Sequence, residues 1–265
     1  MHEDGIEPQF RARVARVEVR GFRSLRDVRL DLPPLCVMIG ANGAGKSNLI
    51  RFFEMLGWML KGRNLGEFVD KYGGGDDQLF MGAKQTPRLD ARLRIDSGQG
   101  FNDYRFCLAH STARDRLIFV DEAFRYSSHE RDGIADWVYL DAGGGEASLP
   151  ELAGSQQTPL NQRRTARALM HLLRQCTSFQ FHDTSDTAAI KLSWDVTDGR
   201  RLRSNGGNLA AVLLHLRENH VKRYDLIERH IARVLPGFGG FGLEPSYGKV
   251  LLQWRSRQGG KTFGA

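Results

Sequence analysis

The chain has 265 residues, of which 41% are hydrophobic and 26% charged, with a formal net charge of +7. These values predict an ordinary globular protein with a sizeable core, and the modest positive charge is weak support for nucleic-acid binding. The polar, acidic N-terminus predicts no signal peptide, and no apolar run approaches the ~20 residues of a membrane span. Three widely separated cysteines without metal-binding spacing fit a reducing compartment, so we expect a cytoplasmic protein without membrane contact.

The first predicted elements are two half-buried strands and one fully buried strand. Residues 1–9 read as a loose tail. Apolar residues then alternate in two runs on either side of a Gly21–Ser24 turn: Val14, Val17, Val19 and Val28, Leu30, Leu32. Pro33 and Pro34 end the second run, and the uninterrupted apolar segment Leu35–Ile39 predicts a buried strand.

A glycine-rich loop follows this third strand. Its residues fit the phosphate-binding pattern GxxxxGK[ST] at every fixed position: Gly40, Ala41, Asn42, Gly43, Ala44, Gly45, Lys46 and Ser47. The segment Asn48–Leu56 predicts a helix, so the loop has the strand–loop–helix context that this motif requires. We therefore expect loop amides and the helix N-terminus to hold ATP phosphates, Lys46 to reach the β- and γ-phosphates, and Ser47 to ligate Mg²⁺.

The rest of the chain consists of a strand-rich part followed by a helix-rich part. Residues 62–87 read as irregular, with Gly73–Asp77 as the least ordered stretch. Four short strands then predict an antiparallel meander: 89–95, 104–109, 117–120 and 137–140. The helix-rich part predicts helices over 165–176, 208–216 with Asn208 as N-cap, and 224–234, together with strands over 179–182 and 249–254.

These elements predict an α/β fold of the P-loop NTPase class, with an antiparallel β-meander inserted after the first βα unit and a separate helical portion. We expect residues 1–160 to form an N-terminal lobe with the phosphate loop and the meander. Residues 161–265 would form the helical portion and a returning strand of the same fold.

Two segments together give a resemblance to a known family. The run Arg20–Asp27 and the loop extended to Ile50 resemble the RecF/SMC-like branch of ABC-type ATPases. Further segments resemble a bacterial group of predicted AAA-family ATPases in that branch: Gln180–Ser185, Asn205–Leu213, Tyr224–Phe238 and Leu251–Trp254. The resemblance covers nearly the whole chain, but only the phosphate loop is specific to nucleotide binding.

The resemblance implies an ATP-driven dimer in which two heads enclose two ATP molecules. It also implies nucleotide contacts for Asn48, for Arg23 in the turn between the first two strands, and for Gln180. For Phe22 two interpretations stay open, stacking near the nucleotide and a core position. The alternative for Arg23 is an exposed side chain, and for His182 it is a hydrogen bond within its own turn. Roles of such proteins in DNA repair, chromosome handling or phage defence leave nucleic acid as an open partner.

Two elements of this family are missing from the sequence. The signature motif and the Walker B strand would follow the Trp254 strand, and we expect the chain to be the N-terminal part of a longer ATPase. The segment Leu117–Glu122 has the form of a Walker B strand, but its position among short alternating strands favours a meander strand that ends in solvated acids.

Three functional hypotheses therefore stay open. The first is an ATPase head that hydrolyses ATP when a C-terminal half or a partner completes it. The second is a non-hydrolysing nucleotide-binding or partner-docking fragment, and the third is a phosphotransferase of unidentified acceptor. A basic helix that carries Arg163, Arg164, Arg167 and Arg174 is predicted to be a solvated face, with DNA contact as the alternative.

Overall fold

The computed structural model describes residues 12–62, 65–130, 135–179, 181, 183 and 185–264. The helices are α1 (Lys46–Gly62), α2 (Leu65–Lys71), α3 (Leu149–Gly154), α4 (Leu160–Leu173), α5 (Leu209–Asn219) and α6 (Val221–Val234). The strands are β1 (Arg13–Phe22), β2 (Leu25–Asp31), β3 (Arg88–Asp96), β4 (Gly100–Ser111), β5 (Arg116–Ser128), β6 (Val138–Tyr139), β7 (Trp194–Asp195), β8 (Phe238–Gly242), β9 (Lys249–Val250), β10 (Gln253–Ser256) and β11 (Thr262–Gly264). The mixed α/β character expected from the sequence is confirmed.

The chain divides into two compact units, residues 1–177 and 178–265. The division falls later than the predicted boundary at 160/161, because α4 packs against β4 and β5 and so belongs with the first unit. None of the helices in the described part of the chain is long and apolar enough to cross a membrane.

The first unit is built on a six-stranded sheet in the order β2-β1-β3-β4-β5-β6. Every neighbouring pair is antiparallel, so the predicted meander is confirmed and is continuous with the two N-terminal strands. Apolar residues at alternate positions put one face of the sheet into the core, as in the cross-strand row Val19, Ala91 and Phe106.

Helix α1 lies in this core because its apolar residues recur at helical spacing: Phe52, Met55, Leu56 and Met59 are fully buried. The Phe52 ring contacts Phe22 edge-to-face at 5.8 Å and stacks on Phe106 at 6.5 Å, which ties the helix to β1 and β4. Phe22 is therefore a core residue and not a stacking partner on the surface. The position of α1 fixes the loop that precedes it.

The other face of the sheet carries a network of ion pairs. The most buried acid in this network is Asp103 on β4, whose carboxylate pairs with the guanidinium groups of Arg92 and Arg94 from β3 and Arg125 from β5 at 2.8–3.3 Å. Burial opposes ionisation of this group, but the hydrogen bonds from Arg94 and Arg125 prevail and lower the pKa of Asp103. Opposite charges on neighbouring strands thus neutralise one another across this face.

The segment Leu35–Ile39 is not the buried strand that its apolar sequence predicts. It is assigned to no strand, and Leu35, Val37 and Ile39 are 82%, 74% and 92% exposed. An apolar run of this kind needs strands on both sides and cover on both faces. The described part of the chain supplies neither, so the prediction is wrong for this structure.

The second unit has its own small core around α5 and α6. Ala211, Leu214, Tyr224 and Leu243 are among its buried members. The predicted helices are confirmed, although α6 begins at Val221, three residues earlier than expected. The predicted strand over 249–254 is instead two strands, β9 paired with β7 and β10 paired with β8 and β11.

One local prediction for this unit is confirmed in position and another is wrong. Asn208 is the N-cap residue of α5, but its side chain makes no capping bond, because Oδ1 accepts from the Arg203 amide at 2.9 Å and Nδ2 donates to the carbonyls of Asp198 and Arg201. The predicted strand over 179–182 is absent at the described positions Phe179 and Phe181.

Candidate functional site

The glycine-rich loop leads directly into α1, which begins at Lys46. Gly43 and Gly45 have φ values of +85° and +94°, in the region that L-residues with a side chain rarely adopt. The loop closes on itself through the Ala44 amide, which donates to the Ala41 carbonyl at 3.3 Å. The local pattern of glycines therefore produces the tight turn that the motif predicts.

Lys46 folds back over this loop. Its Nζ donates to the carbonyl oxygens of Gly40 at 2.7 Å and Ala41 at 2.8 Å. The ammonium group is thereby held above the start of the loop by two charge-assisted hydrogen bonds. The positive charge of Lys46 is therefore already in place beside the loop before any anion binds there.

The N-terminus of α1 adds a second positive feature. The first turn of this 17-residue helix contains no acidic side chain, so no carboxylate of that turn offsets the helix dipole. Ser47 is exposed, and its hydroxyl is the first side-chain oxygen after Lys46. The amide of Asn48 instead donates to Ser24 Oγ at 2.7 Å, which links the helix to the β1–β2 turn.

Ser24 is a residue of this region that sequence reasoning missed. It lies against Gly45, where a Cβ atom would come within 3.3 Å of its Oγ and 3.1 Å of Leu25 Cδ2. The turn between β1 and β2 thus forms one wall of the glycine loop. No signal in the sequence pairs these two segments, because the contact arises only when β1, β2 and α1 share one core.

Arg23 has its guanidinium directed to protein groups. Its Nε donates to Gln78 Oε1 at 3.0 Å and its Nη2 donates to the Tyr72 carbonyl at 2.8 Å. Burial and the nearby charge of Arg51 lower the pKa of Arg23. Its φ of +48° places it at the tip of the β1–β2 turn. The structure therefore gives Arg23 a fastening role, and its contact with nucleotide stays a prediction.

Gln78 was also missed, because the surrounding stretch Gly73–Asp77 was expected to be the least ordered. The stretch is instead tied down: the Gly75 amide donates to the Asp115 carbonyl at 2.8 Å, and the side chain of Gln78 is fully buried. Gln78 Nε2 donates to the carbonyls of Tyr72 and Gly74. This amide joins the β1–β2 turn to the segment that follows α2.

The acidic pair of the Walker B-like segment has structural partners. Asp121 lies 3.3 Å from the Arg105 guanidinium. Glu122 is fully buried, and its carboxylate accepts hydrogen bonds from Tyr104 Oη and from the amides of Ser148 and Leu149 at the start of α3. Burial raises the pKa of Glu122. The expected meander strand is confirmed, but Glu122 is a buried partner of the α3 N-terminus and not a solvated acid.

The arginines of α4 do not form a uniformly solvated face. Arg163, Arg167 and Arg174 donate to the carbonyl oxygens of Ser155, Ala153 and Leu60, respectively. Arg164, Arg167 and Arg174 are exposed, and Arg164 is the one of the four without a hydrogen bond or ion pair to the described residues. Three of these side chains therefore fasten α4 to its surroundings.

Two of the predicted functional positions cannot be placed. Gln180 and His182 lie outside the described residues. Among the residues that the structure does describe, no cluster of three or more His, Cys, Asp or Glu side chains could hold a metal ion. Cys36, Cys107 and Cys176 are free thiols.

No protein-family model matches this chain, and no curated protein matches it either. The candidate site therefore rests on the loop motif and on the geometry described above.

Proposed function

We propose that this chain binds ATP and Mg²⁺ through Gly40–Ser47, as the nucleotide-binding part of an ABC-type ATPase head of the RecF/SMC-like branch. The observation that carries the proposal is the loop itself: a complete GxxxxGK[ST] motif with Gly43 and Gly45 at positive φ, followed at once by a helix that begins at Lys46. The loop and the helix of the expected strand–loop–helix context are present, whereas Leu35–Ile39 forms no strand. In a loop of this kind followed by a helix, consecutive backbone amides converge on phosphate oxygens.

Lys46 would change partners when nucleotide binds. In the present structure its ammonium donates to two neutral acceptors, the Gly40 and Ala41 carbonyls. The β- and γ-phosphates of ATP carry full negative charge, so they would replace these neutral acceptors. The lysine would then neutralise charge on the transferred phosphoryl group.

The chain supplies one of the oxygen ligands that a magnesium ion would need at this loop. Ser47 offers an exposed hydroxyl oxygen, and Mg²⁺ typically takes one or two protein ligands together with phosphate oxygens and waters. When bound, the ion would offset the negative charge shared between the β- and γ-phosphates. The residues of the chain would hold and orient the nucleotide around it.

Hydrolysis coupled to the engagement of two heads is part of the same proposal. It would require an acid that positions water and a second polypeptide surface across the nucleotide, supplied by a second head or by a completing segment. The exposed run Leu35–Ile39 supports this requirement, because contiguous apolar residues at a protein surface mark sites of contact with another polypeptide segment.

The second candidate function is nucleotide binding without hydrolysis, or docking to a partner. It is favoured by the use that the structure makes of Asp121 and Glu122, which bond Arg105 and the start of α3. Glu122 is fully buried, and Asp121 is paired with an arginine. If this candidate is correct, the chain by itself holds ATP but does not turn it over.

Calorimetric titration with ATP·Mg²⁺ tests the binding proposal. Lys46→Ala should weaken binding by at least about tenfold, which is the lower end of what a hydrogen bond to a charged group contributes. The loss should be larger for ATP than for AMP, because the lysine is assigned to the β- and γ-phosphates. Lys61→Ala, at the other end of α1, is the matched control and should leave the affinity unchanged.

Equal affinity in wild type and Lys46→Ala would remove the loop from its proposed role. Phosphate release by the chain alone, measured in the same preparations, separates the two candidates. Turnover that Asp121→Asn abolishes would contradict the structural role given to that acid. Binding without turnover would favour the second candidate.

A further inference from the structure

The two edges of the six-stranded sheet differ in length. One edge strand, β6, has two residues, whereas the other, β2, has seven. Within the described part of the chain β2 pairs only with β1, in a register without a bulge, and it contains no proline. Its charged residues are two arginines and two aspartates, so their charges cancel. The free edge of β2 therefore lacks the short length, proline, bulge or net charge with which sheets avoid edge-to-edge pairing.

The backbone groups at this free edge can be assigned from one hydrogen bond. The Leu32 amide donates to the Ala15 carbonyl at 2.8 Å, directly after the paired residue Asp31. Because successive residues of an antiparallel strand direct their backbone groups to opposite sides, the even-numbered residues of β2 bond β1. Asp27, Arg29 and Asp31 therefore direct their N–H and C=O groups to the free edge.

A second copy of β2 fits this edge best in one symmetric register. In an antiparallel pair of identical strands, residues that bond across the edge must lie opposite each other. A two-fold axis at Val28 meets this condition, overlaps all seven residues of β2, and sets Asp27 of each copy opposite Arg29 of the other. An axis at Asp27 or at Arg29 would instead set two like charges opposite each other. An axis at Arg26 or Leu30 would leave only three residues overlapped.

The charged face of the sheet favours the register centred on Val28. Its cross-strand rows at this edge are Arg92–Glu18–Arg29 and Asp90–Arg20–Asp27. The sign of the charge alternates along each row, and the terminal pairs are formed, with Arg29 3.5 Å from Glu18 and Asp27 3.0 Å from Arg20. The first row ends at the free edge in a positive charge and the second in a negative charge. An axis at Val28 joins the first row of one copy to the second row of the other, so the alternation continues across the contact.

The apolar face favours the same register. Val28 pairs with Val19, so the buried row that contains Val19, Ala91 and Phe106 ends at the free edge in Val28. Val28 and Leu30 are only partly buried, although they pack against the core. An axis at Val28 sets this side chain against its equivalent in the second copy, which extends the apolar row and removes more of it from water.

We propose that a second copy of this chain pairs with the free edge of β2, antiparallel and centred on Val28, so that the two sheets become continuous. The partner is a copy of the same chain because each row of charges is complementary to the other row of the same strand. Exposed ion pairs contribute little each and the contact is small, so we expect a dissociation constant of about 1–100 µM. The pairing requires no nucleotide and does not depend on the glycine loop.

Sedimentation equilibrium of the full chain, without ATP or Mg²⁺, tests the pairing of charges. Arg29→Asp and Asp27→Arg each place like charges opposite each other at two positions of the contact. Each variant alone should therefore dimerise at least about tenfold more weakly than wild type. An equimolar mixture of the two variants restores opposite charges at both positions, so it should form a mixed dimer with nearly wild-type affinity. Arg26→Asp is the matched control, because Arg26 is an exposed arginine of the same strand that would face Leu30.

Disulfide formation tests the register. The background is Cys36→Ser, which removes the exposed native thiol. Val28→Cys should give a covalent dimer under mild oxidation, because non-hydrogen-bonded partners in an antiparallel pair have Cα atoms about 4.5 Å apart. Leu30→Cys is the matched control, since Leu30 is also half-buried but would lie about 14 Å from its equivalent, beyond the reach of a disulfide.

Four results would overturn this inference. The first is a wild-type chain that stays monomeric at about 500 µM, well above the expected dissociation constant. The second is a dimer that neither charge variant weakens, which would place self-association at another surface such as Leu35–Ile39. The third is a mixture of the two variants that stays dissociated, and the fourth is equal disulfide formation by Val28→Cys and Leu30→Cys. All of these measurements are made without nucleotide, so none of them bears on ATP binding at Gly40–Ser47.

Discussion

Replacing three glycines of the glycine-rich loop one at a time by alanine should give graded effects. Gly40 does not have a positive φ, and a Cβ on it would meet only Ala44 Cβ at 3.6 Å. Gly43 has a φ of +85° with no atom within 4 Å of an added Cβ. Gly45 has a φ of +94°, and its Cβ would press on Leu25 and Ser24.

The expected changes in the free energy of unfolding follow from these surroundings. Gly40→Ala should be neutral or stabilising by about 0.4–1 kcal/mol, because alanine reduces the entropy of the unfolded chain. Gly43→Ala should cost about 1–2 kcal/mol for the left-handed backbone. Gly45→Ala should cost about 1 kcal/mol more than Gly43→Ala, because moving Ser24 also disturbs its hydrogen bond with Asn48.

Urea unfolding of the three variants measures these costs, and ATP titration in parallel measures their effect on the site. If the loop amides hold phosphate, affinity should fall in the order of backbone strain, with Gly45→Ala the weakest binder. Equal stability of all three variants would show that the loop conformation described here is not the one in solution. Unchanged ATP affinity in Gly45→Ala would refute the link between this conformation and binding.

Three further predictions concern the body of the first unit. Asp103→Asn should lower the free energy of unfolding by about 3 kcal/mol in urea titrations, because three arginines lose their shared buried carboxylate. Since the folded-state pKa of Asp103 is lowered, the wild type should lose this contribution as the pH falls below about 3.8. A stability that does not change with pH in this acid range would contradict the prediction. The pKa of Glu122 is raised, so its contribution should decline as pH rises from about 4.5, and Glu122→Gln should remove that slope from the pH dependence of unfolding. Ile39→Thr should change the unfolding free energy by less than about 0.5 kcal/mol while reducing self-association in light scattering, and a loss above about 1 kcal/mol would show that this residue is buried in solution.

Much of the first unit could be predicted because its signals are local. Alternation of apolar residues predicted β3, β4 and β5, since each strand has one face in the core and one in the network of ion pairs. Gly43 and Gly45 predicted a tight loop, since glycine adopts positive φ values without strain. The same reasoning failed at Leu35–Ile39, where composition indicates burial but burial depends on strands from elsewhere.

The remaining errors concern polar side chains, whose partners are distant in sequence. Glu122 was predicted to be a solvated acid, but the β4–β5 register places its side chain in the core, where it accepts a hydrogen bond from the start of α3. Asn208 occupies the predicted N-cap position, but its side-chain oxygen accepts from the Arg203 amide of the preceding loop instead of from an amide of α5. A long or forked side chain reaches several candidate partners, and only packing selects among them.

The sequence by itself therefore determined the glycine loop, the helix that follows it and the alternating strands, because backbone angles and burial periodicity are encoded residue by residue. Only the tertiary structure decided that Ser24 forms a wall of that loop, that Arg23 is tied to Gln78, and that Glu122 meets the start of α3. These contacts join elements separated by tens of residues, and they exist only once α1, α4 and the six strands share a common core.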